Sequence, residues 1–91
     1  MRVTVLYGGE LVSIAGASKE AVELAEGSTL EDLLSRLEAA HGRRLFEVAG
    51  EKLLVLVNGR SVSPSAASQV KLSDGDFVSI LPPVHGGSLS I

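Results

Sequence analysis

The side chains able to exchange protons near neutral pH are two histidines, His41 and His85. His41 falls where a helix is expected to end, and there an imidazolium interacts favourably with the helix dipole. His85 lies in the C-terminal tail, and two histidines alone make a weak metal site. Serines are frequent, but none occupies a strand-turn-helix nucleophile elbow, and the carboxylates are scattered, so Glu23 and Asp76 read as surface or turn residues. The turn "YGGE" has neither the glycine spacing nor the Lys-Ser/Thr of a phosphate-binding loop. What remains chemically distinctive is backbone, in "LPPVHGG": a Pro82-Pro83 stiffener followed by Gly86-Gly87. The prolines fix φ near about −65° and favour an extended exit, while glycines without Cβ atoms fit a narrow channel.

The elements that must position this tail are short. Met1 to Tyr7 alternates, with Val3, Val5 and Tyr7 on one side and Arg2, Thr4 and Leu6 on the other, and reads as a strand. Leu11 to Ala17 fits no clean period and reads as a loop. "KEAVELAEG" places Val22 and Leu24 opposite Glu23, a second strand. In "STLEDLLSRLEAAHG", Ser28 with Glu31 or Thr29 with Asp32 has capping-box spacing. Leu30, Leu33, Leu34 and Leu37 then form one apolar helix stripe, with Gly42 as the stop. Leu53 to Val57 is an apolar run entering the hairpin signal Asn58-Gly59, "SPSAAS" reads as a loop, and Val70 to Leu72 as a short strand. After the Asp74-Gly75 turn, Phe77 to Leu81 reads as a final strand stopped by the prolines. The expectation is an α+β domain over residues 1–83, one main helix on a small mixed sheet, with a tail over 84–91.

Composition removes whole classes of activity. The chain has 91 residues, no cysteine and a net charge of −3. Disulfides, thiol nucleophiles and cysteine metal sites are therefore out, and Arg43-Arg44 is too short a basic run for nucleic acid or anionic membrane. Aromatics make up only 3 %, so the core must be built from Leu, Val and Ala. The first ten residues lack a secretory signal pattern and no apolar run approaches a membrane span, which places the protein in the cytoplasm.

The run "LSDGDFVSILPPVHGG", with "VELAEGSTLEDLLSRL" and "KLLVLVNGRSV" before it, resembles the ubiquitin-like sulfur carriers of the MoaD/ThiS type over residues 1–87. These include the small subunit of molybdopterin synthase and the thiamine-pathway sulfur carrier. The resemblance implies a β-grasp fold of four to five strands, with the last strand beside the first. It also implies a carrier and substrate rather than an enzyme: no cofactor is bound and no side chain is catalytic. A ubiquitin-activating-type enzyme uses ATP and Mg²⁺ to adenylate the terminal glycine, here Gly87 behind Gly86. A sulfur donor then displaces AMP to leave a thiocarboxylate, which serves cofactor biosynthesis, with molybdopterin the favoured pathway and the synthase large subunit a partner. Phe77 and Leu81, on the face opposite Val78 and Ile80, are the expected docking residues, the alternative being that they pack within the chain.

One feature departs from the family pattern: Gly87 is followed by "SLSI" and is joined to Ser88 by an amide, which cannot be adenylated. The leading expectation is a precursor from which a processing protease removes Ser88 to Ile91 at the Gly87-Ser88 bond. The alternatives are a β-grasp interaction module that is no longer activated, and self-cleavage through an N-to-O acyl shift at Ser88. A modifier joined to lysines through Gly87 begins with the same adenylate and stands beside the sulfur-carrier reading.

Overall fold

In the computed structural model, which describes residues 1–43 and 53–82, five strands form one sheet. They are β1 (Arg2–Tyr7), β2 (Lys19–Glu23), β3 (Leu54–Val57), β4 (Arg60–Val62) and β5 (Phe77–Leu81), in the order β2-β1-β5-β3-β4. β5 lies at the centre, parallel to β1 and antiparallel to β3, as the β-grasp expectation requires. Among the described residues two α-helices accompany the sheet, α1 (Leu11–Ala15) and α2 (Leu30–His41).

Alternation decides what is buried. Val3, Val5 and Tyr7 of β1, Val22 of β2, Val55 of β3, and Val78 and Ile80 of β5 enter one core, which α2 closes with Leu30, Leu33 and Leu37. Leu34 is only half-buried at the flank of that stripe, so the expectation that it faces the core equally is corrected. The α2 cap is the second of the two spacings. Thr29 Oγ1 accepts from the Asp32 amide at 3.2 Å, and Asp32 Oδ2 accepts from the Thr29 amide at 2.8 Å. The next free amide, that of Leu30, donates to the Val70 carbonyl at 2.8 Å, and Leu72 donates to Ser28 at 2.9 Å.

Three expectations for the connections change. Leu11 to Ala17 contains the single-turn helix α1, because Leu11 is fully buried and Gly16, at φ 83°, closes the turn. The Ser/Ala loop is a 3-10 turn, Pro64–Gln69, with Ala67 buried beneath it. Val70 to Leu72 forms only an isolated bridge, Thr29 with Lys71, so the short strand of the sheet is instead β4. The Asn58-Gly59 signal is borne out: both residues have positive φ, 50° and 85°, as a two-residue turn between β3 and β4 demands.

Tyr7, Glu20 and His41 fasten β1, β2 and the end of α2 together. The Tyr7 hydroxyl and His41 Nε2 both donate to Glu20 Oε1, each at 2.9 Å, and the two rings meet edge to face with centroids 5.9 Å apart. Burial first, then the hydrogen bond to Glu20 and its negative charge, push the phenol well above its ordinary range. In the unfolded chain tyrosine titrates near about pH 10. Above that pH the folded state holds the extra proton, so stability falls by up to about 1.4 kcal/mol per pH unit from this group; below it the contribution is complete. Urea melts of the wild type and Tyr7→Phe should therefore converge as pH rises from about 9 to about 11.5. Curves that stay parallel would mean that folding does not raise the phenol's pKa.

Candidate functional site

β5 carries the expected docking residues and leads straight to Pro82. Its side chains alternate cleanly: Val78 and Ile80 are fully buried, while Phe77, Ser79 and Leu81 face the other side of the sheet. Phe77 keeps 42 % of its surface exposed, the one large hydrophobic residue to do so among those described. Leu81 is half-buried, so both residues pack partly within the chain and Phe77 is the more open of the two.

Register shows what surrounds them. Ser79 lies between Leu6 of β1 and Leu56 of β3, Leu81 lies beside Leu54, and Phe77 beside Thr4. Directly opposed residues share a face, so Leu6, Leu54, Leu56, Phe77 and Leu81 ring Ser79 on the side of the sheet away from α2. Its margin is polar, with Lys19 opposite Leu6, Ser61 opposite Leu56, and the exposed pair Arg2 and Glu23 at 3.8 Å. An apolar centre within a polar rim is the usual form of a protein docking surface.

The end of β5 that begins this face is held by the two sequence signals first read as turns. Asn58 Oδ1 accepts from the Phe77 amide at 3.0 Å, and Asn58 Nδ2 donates to Asp76 Oδ1 at 3.0 Å. Asp76 Oδ2 accepts from the Ser73 amide and Asp74 Oδ1 from the Arg2 amide, both at 2.7 Å. "DGD" and "NG" thus lock β5 between β1 and β3, and with it the orientation of Phe77. Asp76 is accounted for structurally, as expected, and Glu23 is an exposed surface residue.

Pro82 closes the described segment; Pro83, His85, Gly86, Gly87 and Ser88 lie outside the described residues, as does Arg44. His41 is spoken for by Glu20. Among the described residues no group of three or more His, Cys, Asp or Glu is arranged to hold a metal ion.

Residues 5–87 match the ThiS family. The chain belongs to that family. Its likeness to the molybdopterin synthase sulfur carrier subunit of Chlamydomonas reinhardtii is 33 % identity over 87 residues, covering 96 % of this chain and 100 % of that protein. It is 40 % identical over 67 residues to the small archaeal modifier protein 3 of Haloferax volcanii, across 68 % of this chain and 73 % of that one. The crystal structure of SAMP1 from Haloferax volcanii superposes with a TM-score of 0.79 at 26 % identity, covering 96 % of this chain and 100 % of the other. A ThiS-family chain is thus a ubiquitin-like β-grasp protein of the sulfur-carrier and protein-modifier group, and this fold holds its Phe77 face in a fixed sheet.

Proposed function

We propose that the protein is a sulfur carrier whose working group is the carboxylate of Gly87, released when the Gly87-Ser88 amide is hydrolysed by a processing protease. The carboxylate oxygen attacks the α-phosphorus of ATP on a ubiquitin-activating-type enzyme, with Mg²⁺ there, and pyrophosphate leaves. A sulfide-level donor then adds to the acyl carbon, the bond to AMP breaks, and a thiocarboxylate remains for cofactor biosynthesis in the cytoplasm. The observation that carries this reading is the central strand itself, which presents exposed Phe77 and then runs into Pro82, five residues before Gly87. Docking of Phe77 and Leu81 on a partner would bring the tail to the partner's nucleotide, while Pro82 and Pro83 limit the freedom lost on capture. Gly86 and Gly87 would allow close approach inside the channel.

Molybdopterin is the favoured destination because a molybdopterin synthase sulfur carrier subunit matches along its whole length. The chain would then serve as the small, non-catalytic subunit, docked on a large subunit that holds the substrate. Conjugation to lysines is a second reading, supported by the 40 % identity to a small archaeal modifier protein. Intact mass of the protein from its own cells tests these readings. Loss of everything after Gly87 with one oxygen replaced by sulfur is the expected result, and lysine conjugates ending in Gly87 would move the assignment to the modifier. Protein still carrying Ser88 and unmodified under sulfur-demanding growth would leave an interaction module.

A further inference from the structure

Gly8 and Gly9, which follow β1, have no part in the chemistry described above, yet they are the described glycines with close neighbours. A Cβ built on Gly16, Gly27, Gly42, Gly59 or Gly75 meets nothing within 4 Å. On Gly8 it would overlap Leu81 Cδ2, and on Gly9 it would stand 2.9 Å from Pro82 Cγ and 3.4 Å from Pro82 Cδ. Carbon atoms attract best at about 3.5–4.0 Å, so the Pro82 ring occupies the space where a side chain on residue 9 would be. Gly9 also has φ 56°, a left-handed conformation that suits glycine.

The turn is anchored independently of the residues it touches. The Gly8 amide donates to the Ile80 carbonyl at 3.0 Å, extending the β1–β5 ladder by one bond. The carbonyls of Gly8 and Gly9 accept from Leu11 and Val12, each at 3.2 Å, and Leu11 is fully buried in the core. The glycine pair is therefore a fixed surface against which the Leu81 side chain, at the end of β5, and the Pro82 ring after it are laid.

We infer that Gly8 and Gly9 are positioning residues for the C-terminal reaction: they form a side-chain-free seat that sets the direction in which the chain leaves β5. The inference rests on the sulfur-carrier reading above. An extended chain from Pro82 to Gly87 reaches at most about 17 Å, so the direction in which the chain leaves Pro82 bounds where the reacting carboxylate can be placed. Docking through Phe77 does not depend on the Gly9–Pro82 contact, whereas the placement of the carboxylate at the α-phosphate does. The effect therefore falls on kcat rather than KM.

The test uses the protein ending at Gly87 with the adenylating enzyme of its own organism, read by ATP–pyrophosphate exchange. Gly9→Asn is the informative variant, because asparagine tolerates positive φ and so keeps the turn while placing a Cβ on Pro82. Gly8→Ala, which displaces the Leu81 methyl and so also disturbs the docking face, is the second, and only its kcat is read. Gly16→Asn has the same left-handed demand, φ 83°, and an open surround, and serves as the control. The expected result is a fall in kcat of about tenfold for Gly9→Asn, with KM changed less than about threefold and Gly16→Asn like wild type. Wild-type kcat in folded Gly9→Asn and Gly8→Ala would overturn the seat alone. An equal loss in Gly16→Asn would overturn it too, since turn stability would then be the cause. If the wild-type protein is itself not adenylated, the sulfur-carrier reading fails first and the seat with it.

Discussion

In a reconstituted activation assay, the protein ending at Gly87 should support ATP–pyrophosphate exchange by its adenylating enzyme, and the protein that continues through "SLSI" should give only the enzyme's own background. The reason is chemical before it is steric. With Ser88 attached, the Gly87 carbonyl carbon belongs to an amide, and there is no carboxylate oxygen to attack phosphorus. A carboxylate placed further along, beyond Leu89, would have to pass branched side chains through the channel proposed to accept Gly86 and Gly87. The contrast should therefore be near all-or-none and should persist at saturating protein. Substituting Phe77 in the trimmed protein separates recognition from chemistry. Phe77→Ser removes the exposed aromatic from the open face while the lock formed by Asn58 and Asp76 is untouched. KM should rise about tenfold, the loss of a moderate anchor, with kcat within about twofold of wild type. Exchange that is equally fast with Ser88 present would remove processing from the proposal, and an unchanged KM would move docking off the Phe77 face.

What could be read from the sequence divides by range. The α2 stripe, the Asn58-Gly59 hairpin and the β5 alternation are local signals, complete within a dozen residues, and each stands where it was expected. α1 escapes because five residues show no period, and its stability comes from Leu11 in the core rather than from propensity. The proposed docking face is half legible. Alternation puts Phe77 and Leu81 outward, but only topology brings Leu6 and Leu56 to either side of Ser79 and Leu54 beside Leu81. The useful signal was an apolar residue on the polar side of its own strand, which Leu6 is. Gly8 and Gly9 carried no such signal, since the atoms that need their missing side chains lie more than seventy residues away in Leu81 and Pro82. Asp74 and Asp76 were legible as turn residues and not as the lock on β5, for the same reason of range.

Leu33→Ala should destabilise the domain by about 2–5 kcal/mol, the range for a leucine removed from a packed core. Leu33 is fully enclosed between α2 and the sheet, so the lost methyl contacts leave a cavity that the surrounding Val and Leu side chains fill poorly. A domain of this size has about 5–15 kcal/mol in all, and about 4–8 °C of melting temperature goes with each kcal/mol, so the variant should melt far below wild type. Leu34→Ala, at the half-buried flank, should cost less than half as much, because part of its side chain stays in water in either state. Urea melts of the two variants decide the orientation of α2, and equal costs would mean that the apolar stripe is turned from the face described. The pair also isolates the role of the helix in function. α2 touches the side of the sheet that Val78 and Ile80 face, whereas the proposed docking residues lie on the side of Phe77 and β5 ends at Leu81, just before Pro82. Leu33→Ala, trimmed to Gly87 and assayed well below its melting temperature, should therefore keep a wild-type KM. A KM that rose in step with the lost stability would show that recognition depends on the rigidity of the whole sheet rather than on the residues it displays.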